Sequence, residues 1–129
     1  MSRAQDHPSL AGRRILVVED EVLIALDLES LLMANGCSVL GPVNTVTAAL
    51  SIVGEDRLDA ALLDLNLGGQ PSTPVAAELK ARGIPFLVVT AYGRSAMQMD
   101  EFHGAPIIDK PIDYAELLGL LERAIARGP

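Results

Sequence analysis

The stretch DAALLDLNLGG, residues 59–69, contains the pattern that decides the fold. Four consecutive apolar residues, 60–63, predict a strand that is buried on both faces, because a half-exposed strand would alternate apolar and polar residues. The run ends at Asp64, and a carboxylate at the mouth of a buried strand loses hydration energy unless another group pairs with it. Gly68 and Gly69 then predict a tight turn with positive φ angles. The rest of the sequence should therefore supply partners for Asp64.

Similar apolar runs alternate with helical patterns along the chain. We predict strands over 14–19, 37–41, 59–64, 85–90 and 106–109, and helices over 21–36, 45–56, 72–83, 94–102 and 113–128. Thr45 and Asp113 are the predicted N-caps of two of these helices. Five strands alternating with five helices indicate right-handed βαβ units, and hence an α/β fold with one parallel sheet covered on both faces. We expect residues 1–12 to form a flexible N-terminal tail and residues 13–127 to form one domain.

The length and the net charge of the chain limit the kinds of function that it can have. The chain has 129 residues and a formal net charge of −7, with no basic stripe, which argues against nucleic acid or an anionic membrane as the main partner. The apolar runs are far too short to span a membrane. The single cysteine, Cys37, excludes an internal disulfide and is typical of a cytoplasmic protein. We expect Cys37 to act as a small buried hydrophobic residue.

Polar side chains follow four of the five predicted strands. They are Glu19, Asp20 and Glu21 after the first strand, Asp64 after the third, Thr90 at the end of the fourth and Lys110 after the fifth. Because ligands of open α/β sheets bind beyond the carboxyl ends of the strands, we expect these groups to lie together. Clustered acids without a nearby histidine or cysteine suit Mg²⁺ or Mn²⁺. An aspartate that faces such a metal, an ammonium and a hydroxyl could attack a phosphoryl group and hold the product.

Each of these residues also has a purely structural explanation when taken alone. The acids at 19–21 could complement the dipole of the following helix, and Asp64 could cap a turn. Thr90 could simply end a strand, and Lys110 could be a solvated surface lysine. The combination of all four positions at one edge of the sheet favours a functional site.

Four short segments, VVEDE, LLDLNLGG, VVTAYG and DKP, resemble in order the signatures of bacterial response-regulator receiver domains. The resemblance covers about residues 13–127. It implies a flavodoxin-like five-stranded parallel sheet of order 2-1-3-4-5 with helices on both faces. It also implies a two-component response regulator whose Asp64 accepts a phosphoryl group from a histidine kinase. Such a protein catalyses only its own phosphorylation and dephosphorylation, so we do not expect an enzyme in the usual sense.

The resemblance also implies roles for individual residues. Mg²⁺ or Mn²⁺ would be held by Glu19, Asp20, Asp64 and the backbone carbonyl of Asn66. Asp20 would be a direct metal ligand, and Glu19 would act through water. Thr90 would be the switch hydroxyl and Lys110 would bind the phosphoryl group, with a cis peptide bond before Pro111.

Some features depart from the usual receiver pattern. The acid pair is Glu-Asp where Asp-Asp is commoner, and the short stretch from Asp64 to Thr90 implies a stunted third helix. Ile107 replaces the aromatic residue that usually stands three positions before the lysine, so Tyr92 is the predicted aromatic of the switch. The segment PFLVVTAYG partly resembles the PFxFATGY signature of FATGUY receivers, which are often single domains served by HWE or HisKA2 histidine kinases.

The resemblance implies two kinds of protein partner. The donor would be a histidine kinase, such as one of the HWE or HisKA2 type, or a phosphotransfer protein. The output would be binding of a protein target, because no output domain is predicted. The responding surface would comprise the helix over 94–102, the strand over 106–109 and the C-terminal helix, and the same surface could form a homodimer.

Other functions remain open. A receiver-like fold could serve as a phosphorylation-independent interaction module, or as a phosphate sink in a phosphorelay. A haloacid-dehalogenase-like phosphatase would need a second aspartate at the position of Asn66, and a cobalamin-binding domain would need a histidine there. Metal analysis and a visible-light spectrum would distinguish these two from a receiver.

Overall fold

The computed structural model describes residues 7–91 and 99–127. Five parallel strands form the main sheet: β1 Arg14–Val18, β2 Ser38–Val43, β3 Ala60–Leu63, β4 Phe86–Thr90 and β5 Ile107–Asp109. The hydrogen-bonded order is β2-β1-β3-β4-β5. This order confirms the predicted flavodoxin-like sheet of order 2-1-3-4-5.

The described residues also form α-helices, which are α1 Val22–Ala34, α2 Val46–Glu55, α3 Thr73–Ala81 and α4 Tyr114–Arg127. Both predicted N-caps are present: the Thr45 hydroxyl accepts a hydrogen bond from the Ala48 amide, and the Asp113 carboxylate accepts one from the Glu116 amide, each at 3.1 Å. Helix α3 has nine residues, in agreement with the predicted short third helix. Of the helix predicted over 94–102, residues 94–98 lie outside the described residues, and Asp100–Phe102 form a 3₁₀ turn instead of α-helix.

The core consists of two layers, one on each face of the sheet. Leu16, Val18 and Leu63 pack with α2 and α3, whereas Ile15 and Leu62 pack with α1 and α4. Neighbouring residues of a strand point to opposite faces, so an uninterrupted apolar run fills both layers. The burial of all four residues of β3 agrees with the double burial predicted from its sequence. No helix in residues 7–91 or 99–127 combines the length and apolar character that crossing a membrane requires.

Residues 7–12 depart from the flexible tail that was expected for residues 1–12. They pack on the domain through a 3₁₀ turn at Pro8–Leu10, in which Leu10 is fully buried. The Cys37 thiol donates to the Leu10 carbonyl at 3.4 Å, and burial raises the pKa of Cys37 to about 11. The side chains of His7 and Ser9 both contact the carboxylate of Glu122 in α4. A single leucine outside any periodic pattern gave no signal for this packing.

A short antiparallel hairpin, which sequence reasoning did not predict, follows β3. Asn66–Leu67 pairs with Gln70–Pro71 across Gly68 and Gly69, whose φ angles are 61° and 91°. These angles confirm the predicted tight turn with positive φ. The Lys110–Pro111 peptide bond is cis, as the resemblance implied.

Candidate functional site

Four of the six polar residues that follow the strands line one cavity of about 260 Å³ at the carboxyl edge of the sheet, whereas Glu19 and Thr90 are not part of its lining. Its lining consists of Asp20, Glu21, Asp64, Asn66, Gly68, Gly69, Ala91 and Lys110. Parallel strands place their carboxyl ends side by side, which explains why residues 90 positions apart in the sequence meet here. The hairpin after β3 contributes the two glycines.

Lys110 joins three of the acidic side chains. Its Nζ lies 3.1 Å from Asp64 Oδ2, 3.0 Å from Glu21 Oε1 and 3.1 Å from Glu19 Oε2. Burial alone would lower the pKa of this ammonium, but hydrogen bonds to Glu21 and Glu19 and the charge of Asp64 raise that pKa above its usual value. Lys110 therefore carries its positive charge at neutral pH.

Glu19 and Asp64 are buried carboxyl groups, with 3% and 5% of their surface exposed. Burial raises the pKa of Glu19 from 4.5 to about 7, even though the Glu21 amide donates a hydrogen bond to Glu19 Oε2 at 2.9 Å. Burial also raises the pKa of Asp64, against the opposing effect of Lys110. Because three acids share one half-buried lysine, the site has a deficit of positive charge.

The geometry of the acids fits a divalent cation. Glu19, Asp20 and Asp64 each place one carboxylate oxygen so that the three atoms lie within 4.8 Å of one another. Glu19 Oε1 is buried and accepts no hydrogen bond, although Lys110 Nζ lies 3.0 Å from it. An anionic oxygen left in this way is costly, and a hard cation such as Mg²⁺ or Mn²⁺ would satisfy it.

Backbone donors hold the remaining predicted ligands in place. The Gly68 amide donates to Asp20 Oδ2 at 2.8 Å, which ties the turn of the hairpin to the acid pair after β1. The Asn66 amide lies 3.4 Å from Asp64 Oδ1, and the Asn66 side chain accepts a hydrogen bond from the Gly69 amide at 2.7 Å. The side chain of Asn66 is thus engaged in the turn.

Ser72 is a site residue that sequence reasoning missed. It is fully buried, and its one hydroxyl proton is shared between the backbone carbonyls of Asp64 and Leu65, the second of which also accepts from the Ser72 amide at 2.9 Å. Its position immediately before α3 suggests an ordinary N-cap, but its side chain makes no capping hydrogen bond to that helix. Ser72 instead fixes the backbone that carries Asp64. The sequence shows the residue type but not which carbonyls it reaches.

The residues predicted for the switch are only partly described. Thr90 is fully buried at the end of β4, where its carbonyl accepts a hydrogen bond from the Lys110 amide at 3.0 Å. Ile107 pairs with Val88 and is half-buried against the core. Tyr92, the predicted aromatic of the switch, lies outside the described residues.

Comparison with known proteins identifies the family. Residues 15–122 match the response regulator receiver domain. The chain is 31% identical over 136 residues to the phyllosphere-induced regulator PhyR of Methylorubrum extorquens, and the match covers 97% of the chain and 51% of that protein. It is 26% identical over 125 residues to the transcriptional regulatory protein PdtaR of Mycobacterium tuberculosis, with 95% of the chain and 61% of that protein covered. The chain thus spans about half to three fifths of the length of these curated relatives.

Solved structures agree with this result. The receiver domain of the sensor histidine kinase PA1611 from Pseudomonas aeruginosa is 27% identical, with a TM-score of 0.77 over 90% of this chain and 99% of that one. That structure has a magnesium ion coordinated in its active-site cleft. The receiver domain of Erythrobacter litoralis PhyR, 22% identical, has the same fold with a TM-score of 0.83 over 93% of this chain and 95% of that one. The chain therefore belongs to the response regulator receiver domain family of two-component signalling, whose members are not conventional enzymes.

Proposed function

We propose that Asp64 accepts a phosphoryl group from a histidine kinase, and that residues 13–127 form the receiver unit in which this transfer occurs. The observation that carries the proposal is the position of Asp64, which lines the open cavity while Lys110 Nζ lies 3.1 Å from its Oδ2. A carboxylate in this position is accessible to a donor from one side. On the other side it is held by a cation that can also bind the incoming phosphoryl oxygens.

In the proposed step, a carboxylate oxygen of Asp64 attacks the phosphorus of a phosphohistidine. A phosphorus–oxygen bond forms, the phosphorus–nitrogen bond breaks, and the imidazole leaves with the electron pair and takes a proton from solvent. Lys110 offsets the charge of the phosphoryl oxygens, and the Thr90 hydroxyl would donate a hydrogen bond to one of them. Bound Mg²⁺ would further stabilise the charge of the phosphoryl group. Its ligands would be Glu19, Asp20, Asp64 and the backbone carbonyl of Asn66.

Chemical phosphorylation tests the proposal. With Mg²⁺ and acetyl phosphate or phosphoramidate, the intact protein should gain one phosphoryl group, and Asp64→Asn should gain none. Asp109→Asn is a matched control, because it removes an exposed carboxylate one residue before Lys110 and should leave labelling unchanged. Equal labelling of Asp64→Asn and the unmodified protein would show that another residue is the acceptor. Chelation of the divalent cation should prevent labelling.

Helix α1 is the surface on which we expect the donor to dock. Its residues Val22, Leu23, Leu26 and Met33 are large, apolar and between 51% and 78% exposed. The helix begins directly after Glu21, which lines the Asp64 cavity, so a protein that brings a phosphohistidine to Asp64 must cover this end of α1. Receiver domains interact with histidine kinases, and the FATGUY-like segment favours a kinase of the HWE or HisKA2 type over a phosphotransfer protein.

A negative charge introduced on α1 should weaken docking of the kinase without affecting phosphoryl transfer at Asp64. Leu23→Asp should slow phosphoryl transfer from the kinase and leave labelling by acetyl phosphate unchanged, because the small donor needs no docking surface. Met33→Asp is the control, since Met33 is exposed on the same helix about 15 Å further from the site. An equal effect of both variants on kinase transfer would contradict docking at the start of α1.

The output is proposed to pass through β5 and α4, because Lys110 follows β5 directly and would change partners when Asp64 is phosphorylated. A protein target, or a second copy of the chain, would bind this surface. Comparison of target binding by the unmodified protein and by Asp64→Asn distinguishes the alternatives. Undiminished target binding by Asp64→Asn under phosphorylating conditions would favour a phosphorylation-independent interaction module instead.

A further inference from the structure

A second cavity, of about 340 Å³, lies at the opposite edge of the sheet from Asp64. It lies below the amino-terminal ends of β4 and β5, between the end of α3 and the last turns of α4. Its floor is apolar and is formed by Ile84, Pro85, Phe86, Pro106, Leu120 and Ala124. Phosphoryl transfer at Asp64 does not account for this cavity.

The rim of the cavity is positively charged on an otherwise acidic protein. Lys80, Arg123 and Arg127 are exposed and supply three of the chain's 10 lysine and arginine residues, whereas none of its 17 acidic residues is among the described lining residues. Lys80 Nζ donates to the carbonyls of Asp100 and His103 at 3.0 Å, which fixes its position without neutralising its charge. Within 7–91 and 99–127, neither arginine forms an ion pair with a carboxylate.

We propose that this cavity, the basic-rim cavity, binds an acidic segment of a partner protein that inserts one large apolar side chain. The apolar floor matches the pocket that an anchoring side chain requires, and the three rim cations match acidic residues on either side of the anchor. The rest of the surface, which carries most of the 17 acids, repels such a segment and so directs it to this rim.

The distribution of polar groups favours a peptide over a small ligand. A small-molecule site usually has a few polar groups inside the pocket that fix the orientation of the ligand. Here the cations lie on the exposed rim and the more buried lining is apolar, so only an extended segment can use both at once. The cavity and Asp64 lie at opposite ends of the strands, so peptide binding at the cavity and phosphorylation of Asp64 can be measured separately.

Titration with a defined peptide tests the inference. The probe is a synthetic peptide with one phenylalanine flanked by two glutamates on each side, added to isotope-labelled protein and followed by NMR. The amides of residues 103–105 and 120–127 should shift, and those around Asp64 should not. The affinity should fall as ionic strength rises, because the rim charges are exposed to solvent. A peptide with alanine in place of phenylalanine should bind about tenfold more weakly or worse.

Charge reversal supplies the matched variants. Combined Arg123→Glu and Arg127→Glu should weaken peptide binding at least about tenfold, whereas Arg57→Glu, at an exposed position away from the cavity, should not change it. Labelling by acetyl phosphate should be normal in both, which separates failure here from failure at Asp64. The inference would be overturned if the peptide did not bind at ~1 mM, or if the alanine peptide bound as tightly as the phenylalanine peptide. It would also be overturned if the charge-reversed variant bound the peptide as tightly as the unmodified protein. Larger shifts of the same amides with a small apolar anion such as naphthoate would show that the cavity prefers a small ligand to a peptide.

Discussion

Replacing Glu19 by glutamine should stabilise the protein when no metal is present. The carboxyl of Glu19 is 3% exposed and its pKa rises from 4.5 in a solvated glutamate to about 7 in the folded protein. A group whose pKa is higher when folded favours the native state less as the pH rises, because it must give up a proton in the buried site. At about 1.4 kcal/mol for each pKa unit, ionised Glu19 costs the native state roughly 3 kcal/mol above neutral pH.

Glutamine has the shape of the protonated acid and avoids this cost. In urea unfolding at about pH 8 with a chelator, we expect Glu19→Gln to raise the free energy of unfolding by about 1–3 kcal/mol. At about pH 3, well below both pKa values, the acid is protonated in both states and the difference should disappear. Glu21→Gln is the matched control: it removes the same charge and also loses a contact with Lys110, but its side chain is 59% exposed and its effect should be small.

Magnesium should reverse the order of the two proteins. A ligand that binds only the native state stabilises it by RT ln(1 + [L]/Kd), and Glu19→Gln weakens the set of anionic oxygens that would hold the ion. At saturating Mg²⁺ the unmodified protein should therefore gain more stability than the variant. If metal-free Glu19→Gln were less stable than the unmodified protein by 1 kcal/mol or more at about pH 8, the charge deficit inferred for this site would be refuted.

Three further predictions concern residues around the core. Ser72→Ala should lower the free energy of unfolding by about 1–3 kcal/mol, because the Asp64 carbonyl loses the Ser72 hydroxyl while the Leu65 carbonyl keeps the Ser72 amide, and it should slow phosphorylation of Asp64; an unchanged urea midpoint would contradict this. Burial raises the pKa of Cys37 to about 11, so at about pH 8 this thiol should resist iodoacetamide in the folded protein and react quickly in urea. Fast alkylation without urea would show that Leu10 does not cover the Cys37 thiol. The contact with His7 lowers the pKa of Glu122, so Glu122→Gln should lower the free energy of unfolding by about 0.5–1 kcal/mol near neutral pH. This difference between the two proteins should shrink as the pH falls below 4.5, and a difference independent of pH would contradict the ion pair.

The sequence predicted the sheet well because burial leaves a direct mark on the composition of strands. The apolar runs at 15–18, 60–63 and 86–89 lie in the strands that have helices on both faces, and nothing but apolar residues fits there. The position of Asp64 beside Lys110 follows from the same topology, since parallel strands end at one edge. The Thr45 N-cap and the glycine turn at 68–69 were also predicted correctly, because each depends only on residues that are close together in the sequence.

Contacts between distant segments left no comparable mark. Leu10 is buried by residues that are near in space and far in sequence, and a lone leucine before a strand has no periodicity to reveal this. Ser72 occupies a standard N-cap position while its hydroxyl serves the Asp64 backbone. The contact between Glu21 and Lys110 depends on side-chain rotamers, which no sequence pattern specifies.

The most direct test of the central claim is to locate the phosphoryl group after labelling with Mg²⁺ and acetyl phosphate. Borohydride reduces an aspartyl phosphate to homoserine, so peptide mass spectrometry after reduction marks the acceptor. Phosphoryl transfer to Asp64 predicts homoserine at position 64 and at no other aspartate, and none when the divalent cation is chelated. Homoserine at another position, or equal conversion at position 64 without the cation, would contradict the account.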